Sequence, residues 1–269
     1  MRIVILPTEL EVSRFAADII SDVIKKKSRS VLGLATGSSP LATYEILIEK
    51  YRKGELSFKH VSTFNLDEYV GLKHNHSQSY RYFMNEHLFQ HIDIDIQNIN
   101  FPECINNDFK ECSANYESLI TKQGGIDLQL LGLGNNGHIG FNEPTSSLSS
   151  KTRIKTLTKK TIESNSRFFD PSEFQPSLAI TMGIGTILQS KKILLIVTGD
   201  NKKKAVVDMV EGPISAFCPA SALQLHNNTV VVVDEAAAAN LQLSEYYVHS
   251  ESMHLNSTSD RIDPKINAN

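Results

Sequence analysis

Two runs in this chain, Ile193-Leu194-Leu195-Ile196-Val197 and Val230-Val231-Val232-Val233, carry no polar residue at any position. A strand wetted on one face alternates apolar and polar side chains, so an unbroken apolar run must be covered on both faces. Arg2–Leu6, Val31–Ala35, Val61–Asn65 and Ile126–Leu131 are further short apolar runs of strand type. Between them lie segments with helical spacing, such as Val12, Phe15, Ala16, Ile19, Ile20 and Val23. Buried strands alternating with helices predict an α/β fold of three layers: a mostly parallel central sheet with helices on both faces. With 269 residues, no internal repeat and no linker composition, residues 1–249 read as one domain, large enough to bury roughly 70–75% of its unfolded surface.

Local signals place the helix ends. Thr8 followed by Glu11 forms a capping-box pattern. Ser39 is expected to cap a second helix with Pro40 at its first position, where the missing N–H costs nothing. Further helices are expected from about Ser79, over about Asp108–Lys122, and from about Asn201. The stretch Thr152–Met182 is rich in Ser, Thr and Lys and breaks the rhythm, and segment 153–182 reads as a lid over a site. From Ser250 the chain is polar without periodicity, so 250–269 reads as a tail that frays, with a docked tail as the alternative.

Ligands of a parallel sheet bind beyond the carboxyl ends of its strands, which directs attention to three loops. Thr36-Gly37-Ser38-Ser39 offers small residues and free N–H groups at a helix start, suited to a phosphate; the alternative is an ordinary strand-to-helix turn. Asn65-Leu66-Asp67-Glu68 sets two adjacent carboxylates at a strand end, where one in a partly dry cleft can become a general base; the alternative is a cap or a solvated turn. Gly132–Gly140 holds four glycines in nine residues, which lets backbone approach a ligand. Its GxGxxG spacing is weak evidence for a dinucleotide, because no acidic ribose anchor follows a helix here. Within this loop His138 and Glu143 make a His–carboxylate pair able to move protons near neutral pH, unless the imidazole only bonds backbone. Arg167, between Asn165-Ser166 and Phe168-Phe169, and Lys202, after Gly199-Asp200-Asn201, could clamp an anion or simply be solvated.

Composition excludes other classes. The net charge of −3 gives no basic field for nucleic acid, and no apolar window approaches the length of a membrane span. The N-terminus lacks the long apolar core and cleavage site of a signal peptide. Three cysteines without a CxxC do not suit a disulfide framework, so a reducing, cytoplasmic location is expected. His74-Asn75-His76 has HxH spacing without a third ligand type nearby, and no metal site is expected.

Taken together, FNLDEYVGL at 64–72, GHIGFNEP at 137–144, TRIKTLT at 152–158, NSRFFD at 165–170 and the GxxK element at 199–202 resemble, in the same order, motifs of the glucosamine-6-phosphate deaminase family over about residues 1–245. The resemblance implies a NagB/RpiA-type, modified Rossmann fold and a cofactor-free aldose–ketose isomerisation coupled to deamination of an amino sugar phosphate. It implies that Asp67 is the enolisation base and that His138, Glu143 and Asn136 assist ring opening. Some members carry aspartate at the Asn136 position; a neutral amide there leaves Glu143 alone to set the charge state of His138. The phosphate would lie on Arg167, Lys202 and the Thr36–Ser39 amides (Thr36, Gly37, Ser38, Ser39). Ser146, Arg153 and Lys155 match part of an allosteric pattern found in hexameric members, so a homo-oligomer is compatible with the resemblance, whereas the spacing of Tyr246 and Tyr247 departs from that pattern.

Two rivals follow. A 6-phosphogluconolactonase of the same superfamily would share the GNxGH type of loop but is not expected to combine FNLDEYVGL with NSRFFD. A sugar-phosphate sensor without catalysis would keep the phosphate cations and could lose the acid–base residues, whereas Asp67, His138 and Glu143 are all present.

Overall fold

A computed structural model describes residues 1–104, 108–157 and 174–259. Its main sheet has seven strands: β1 (Arg2–Leu6), β2 (Val31–Leu34), β3 (Ser62–Asn65), β5 (Ile99–Asn100), β6 (Leu128–Gly132), β9 (Ile193–Val197) and β10 (Thr229–Asp234). Their order is β1-β10-β9-β6-β2-β3-β5, and every pairing is parallel. β4 (Asp67–Tyr69), β7 (Arg153–Thr156) and β8 (Leu178–Thr181) form a small antiparallel sheet in the order β4-β8-β7.

The continuous apolar strands divide their side chains between two cores. Ile193, Leu195, Val197, Val231 and Val233 face one core; Leu194, Ile196, Val230 and Val232 face the other. The helices α1 (Glu9–Lys26), α2 (Leu41–Arg52) and α3 (Tyr80–His87) cover the second core through residues such as Ile20, Leu47 and Met84. On the opposite face lie α4 (Phe109–Lys122), α5 (Ile184–Ile187), α6 (Lys203–Val210) and α7 (Glu235–Ala238). This is the expected three-layer arrangement.

Thr8 caps α1 as expected: its hydroxyl oxygen accepts from Glu11 N–H at 3.3 Å and donates to the Glu11 carboxylate at 3.0 Å, a device typically worth about 1 kcal/mol. Ser79 and Asp108 cap α3 and α4. Ser39 does not cap α2. The helix begins at Leu41, Pro40 already has helical backbone, and no side chain accepts from the first turn. The turn tightens through Leu41 N–H donating to Ser38 O at 3.3 Å, so Ser39 stands outside the capping geometry.

One further expectation is corrected. Cys104 and Cys112 form a disulfide, their Cα atoms 5.2 Å apart, while Cys218 is free and buried. The odd count misled because one cysteine packs alone, while the first turn of α4 folds the other two together. Up to Ser259 the tail takes the docked alternative: a last helix, α8 (Ser244–Ser259), runs through Ser250. Its Glu251 carboxylate accepts both Arg2 Nε, at 2.7 Å, and Arg2 Nη2. A bidentate ion pair to β1 leaves no trace in local periodicity.

The chain runs outward from β2 to β3 and β5, then returns to lay β6 on the other side of β2. The crevice beyond β2 and β6 is therefore the topological switch point of the sheet, where such folds bind ligands.

Candidate active site

A cavity of ≈ 750 Å³ opens at that switch point, within the usual range for small-molecule sites. All three loops singled out from the sequence line it: Thr36–Ser39 after β2, Leu66-Asp67 after β3, and the glycine loop after β6 with Asn136, His138 and Glu143. Lys202 and Tyr80 complete the wall.

Asp67 stands where the chain leaves the main sheet. Leu66 N–H donates to Leu34 O at 3.1 Å in the large sheet, while Leu66 O accepts from Met182 N–H at 2.7 Å at the small one. One residue thus belongs to both sheets, and Asp67 begins β4 opposite Thr181. Asp67 is only 6% exposed. Burial pushes it up to about 8, with the Glu68 charge adding to the shift. Such a group takes up and returns a proton near neutral pH. Gly140 makes room for it: a Cβ there would lie 3.2 Å from Asp67 Oδ2 and 3.1 Å from Thr181 Oγ1.

The glycine loop folds around His138. Gly134 N–H donates to His138 O at 2.9 Å, and Gly137 N–H to Gly134 O at 2.9 Å. The imidazole lies over Gly134, where any Cβ would come within 2.2–2.4 Å of the ring. His138 Nδ1 is 2.6 Å from Asn136 Oδ1 and 3.5 Å from Glu143 Oε1. Asn136 Nδ2 in turn donates to Glu143 Oε2 at 2.7 Å. Since both neighbours of Nδ1 are acceptors, Nδ1 carries the proton, which leaves Nε2 of the neutral ring as an acceptor. Beside His138 and Asn136, the Glu143 carboxyl is held below its ordinary value. The amide is therefore a bridge between ring and carboxylate, a role its neutrality did not suggest.

Lys202 closes the third side. Asp234, at the end of β10, accepts from Gly199 N–H at 3.1 and 2.9 Å and from Ala237 N–H at 2.8 Å. This shapes the turn at Gly199, whose φ is +95°, and delivers Lys202. Its Nζ donates to Leu133 O at 2.7 Å, and partial burial lowers its proton affinity. An ammonium has three donors, so others remain for an anion. Across the crevice, the N–H groups of Gly37, Ser38 and Ser39 donate to no backbone acceptor among the described residues.

Arg167 and residues 158–173 of segment 153–182 lie outside the described residues, while Arg153–Thr156 forms β7. Ser146 is buried. Arg153 borders a different cavity, of ≈ 440 Å³, with Phe109 and Ile154. Lys155 acts on the Glu143 charge. His74 pairs with Glu103 at 3.2 Å, which accounts for half of the HxH pattern. Sequence reasoning missed Tyr80, whose ring stacks on Phe141 with centroids 6.1 Å apart, and Asp234. Only the N-cap pattern Asp234-Glu235 hinted at the latter.

Residues 9–232 match the family described as glucosamine-6-phosphate isomerases/6-phosphogluconolactonase. The chain belongs to that family. Among its relatives, a glucosamine-6-phosphate deaminase of Cellvibrio japonicus is 58% identical over 251 residues, 93% of this chain and 95% of the relative. One from Shewanella woodyi is 56% identical, with 94% and 96% covered. In structure, the chain is similar to a monomeric glucosamine-6-phosphate deaminase of the NagB superfamily, with a TM-score of 0.84, 44% identity, and 89% and 99% of the two chains covered. A 6-phosphogluconolactonase from Trypanosoma cruzi shares the fold at a TM-score of 0.72 and 18% identity, over 90% and 97% of the chains. The family thus spans both chemistries weighed from the sequence, and the higher identities fall on the deaminase side. Among the described residues, no helix is long and apolar enough to cross a membrane.

Proposed function

We propose that this chain is a glucosamine-6-phosphate deaminase, converting glucosamine 6-phosphate and water into fructose 6-phosphate and ammonia. The observation that carries the reading is the position of Asp67: a buried carboxyl, poised near pH 8, in one cavity with the His138–Asn136–Glu143 network and Lys202. Near-full-length identity to deaminases supports it.

In this reading the phosphate rests on Lys202 and the Gly37–Ser39 amides, with Thr36 and Arg167 as the remaining members of that site. His138, oriented through Asn136 by Glu143, moves the proton that opens the pyranose. The deprotonated Asp67 then takes the C2 proton of the open amino aldose and returns it to C1 through an enolamine. The resulting C2 imine adds water and releases ammonia, leaving the ketose. Binding the remote phosphate holds the reacting carbons against Asp67, so binding energy serves positioning. The reaction needs no cofactor in this scheme. A cytoplasmic location and a single soluble substrate, with neither nucleic acid nor membrane as partner, belong to the same reading.

The test is substrate choice. Purified protein is offered glucosamine 6-phosphate and, separately, 6-phosphogluconolactone. Equal amounts of ammonia and fructose 6-phosphate from the first, with the second hydrolysed no faster than in buffer, are expected. Lactone hydrolysis without ammonia release would transfer the reading to the rival.

A further inference from the structure

Asp67 and Glu68 are adjacent and almost equally buried, at 6% and 5% exposure, yet they are held in opposite ways. Asp67 is governed by burial and by Glu68, with no hydrogen bond from the described residues to relieve it. The Glu68 carboxylate accepts three backbone N–H groups. Tyr69 and Tyr80 donate to Oε1 at 2.8 and 2.9 Å, and Arg81 donates to Oε2 at 2.9 Å. Tyr80 and Arg81 open α3, whose first-turn N–H groups have no partner within the helix and favour a negative charge. Ser79 supplies the third contact of that turn by accepting from Tyr82 N–H at 3.0 Å. A carboxylate bound by several N–H groups is stabilised in its ionised form.

We propose that Glu68 is a positioning residue of this site: held by three backbone N–H donors, its carboxylate fastens the Asp67 strand to α3 and sets a like charge directly beside the carboxyl that lifts a carbon-bound proton. The same bonds fix Tyr80, whose ring stands at the cavity wall. One side chain therefore joins the base, the helix and the aromatic wall. Burial leaves Glu68 above its ordinary value as well, with its three N–H donors and His74 acting against the rise, whereas no group among the described residues acts against it for Asp67.

Other groups face the pair. Tyr69 and Tyr116 are buried phenols and Tyr80 is partly buried, and desolvation raises Tyr80 and Tyr116 well above their ordinary value. Arg81 is engaged by Glu103, which also holds His74 at 3.2 Å. Glu117 adds a charge near Tyr116, and His138, Glu143 and Lys202 lie in the same cavity. β8, paired to β4, contributes Leu178–Thr181 and no titratable side chain. Glu68 is thus the carboxylate that acts directly on Asp67.

The inference rests on Asp67 being the base, and the experiment separates the two claims. In Glu68→Gln the acid limb of kcat/KM, where Asp67 ionises, is expected to move down by about one pH unit, as loss of a like charge at this range should do; kcat should fall while KM changes less than about twofold. An unmoved acid limb in an active Glu68→Gln protein overturns the inference, whereas an Asp67→Asn protein that still turns over would instead overturn the assignment of the base. Should Glu68→Gln fail to fold, carboxyl-carbon NMR of the unaltered protein decides. Glu68 is expected to lose its proton at lower pH than Asp67, and the reverse order overturns the inference.

Discussion

At the scale of single residues, the site works through small geometric permissions. Gly134 is glycine because an imidazole lies on it, and Gly140 because Asp67 and Thr181 crowd it. Asn136 makes the most informative contacts of the loop. It bridges His138 and Glu143 with contacts of 2.6 and 2.7 Å, so it passes on orientation without adding charge. Replacing it by aspartate puts a second carboxylate beside the ring and disfavours ionising both acids. Asn136→Asp is expected to move the limb of the pH–rate profile that depends on the ring to higher pH, by about one unit, with the fold intact. A superimposable profile would mean that Glu143 alone controls the ring. Asp67, His138, Glu143 and Lys202 were legible as residues because polar groups and glycines at strand ends are unusual. Their mutual distances were not legible. Nothing in the string GNNGHIGFNE says that Asn136 sits between His138 and Glu143.

At the scale of elements, the apolar strands and capped helices were readable because each states its environment locally. Val230–Val233 shows that both faces are covered, and Thr8, Ser79 and Asp108 announce helix starts. What escaped was long-range. β4 has only three residues, and its pairing with β8 joins positions over a hundred residues apart, beyond the reach of periodicity. The Glu117 carboxylate provides another such link. It accepts from Thr152 N–H at 2.8 Å, Thr152 Oγ1 at 2.6 Å and Thr186 Oγ1 at 2.6 Å, tying α4 to the start of β7 and to α5. The failure of Ser39 as a cap is local instead: Pro40 already has helical backbone and Leu41 N–H turns back to Ser38 O. Docking of α8 through Arg2 and Glu251 joins the two ends of the chain and has no local signature.

At the scale of the whole molecule, the site costs stability in a way that pH can expose. The folded chain holds the Asp67 proton to about pH 8, whereas an unfolded aspartate releases it near the usual ~4. Between these values the folded state binds more protons, so stability falls as pH rises through this window. The contribution is complete below about pH 4 and lost above about pH 8. Asp67→Asn cannot ionise and escapes the loss. Relative to the unaltered protein, its Tm is expected to rise by several degrees at pH 9, at roughly 2–4 °C per kcal/mol for a chain of this size, and by little at pH 4. An equal shift at both pH values would show that Asp67 is not a buried neutral acid.

The same substitution tests the catalytic account most directly when turnover is followed with glucosamine 6-phosphate deuterated at C2. The unaltered protein is expected to slow with the labelled substrate, because Asp67 must break that bond, and Asp67→Asn to lose about 10²–10⁴-fold in kcat while still binding the sugar phosphate. An Asp67→Asn protein that releases ammonia within a few-fold of the normal rate would contradict the account at its centre.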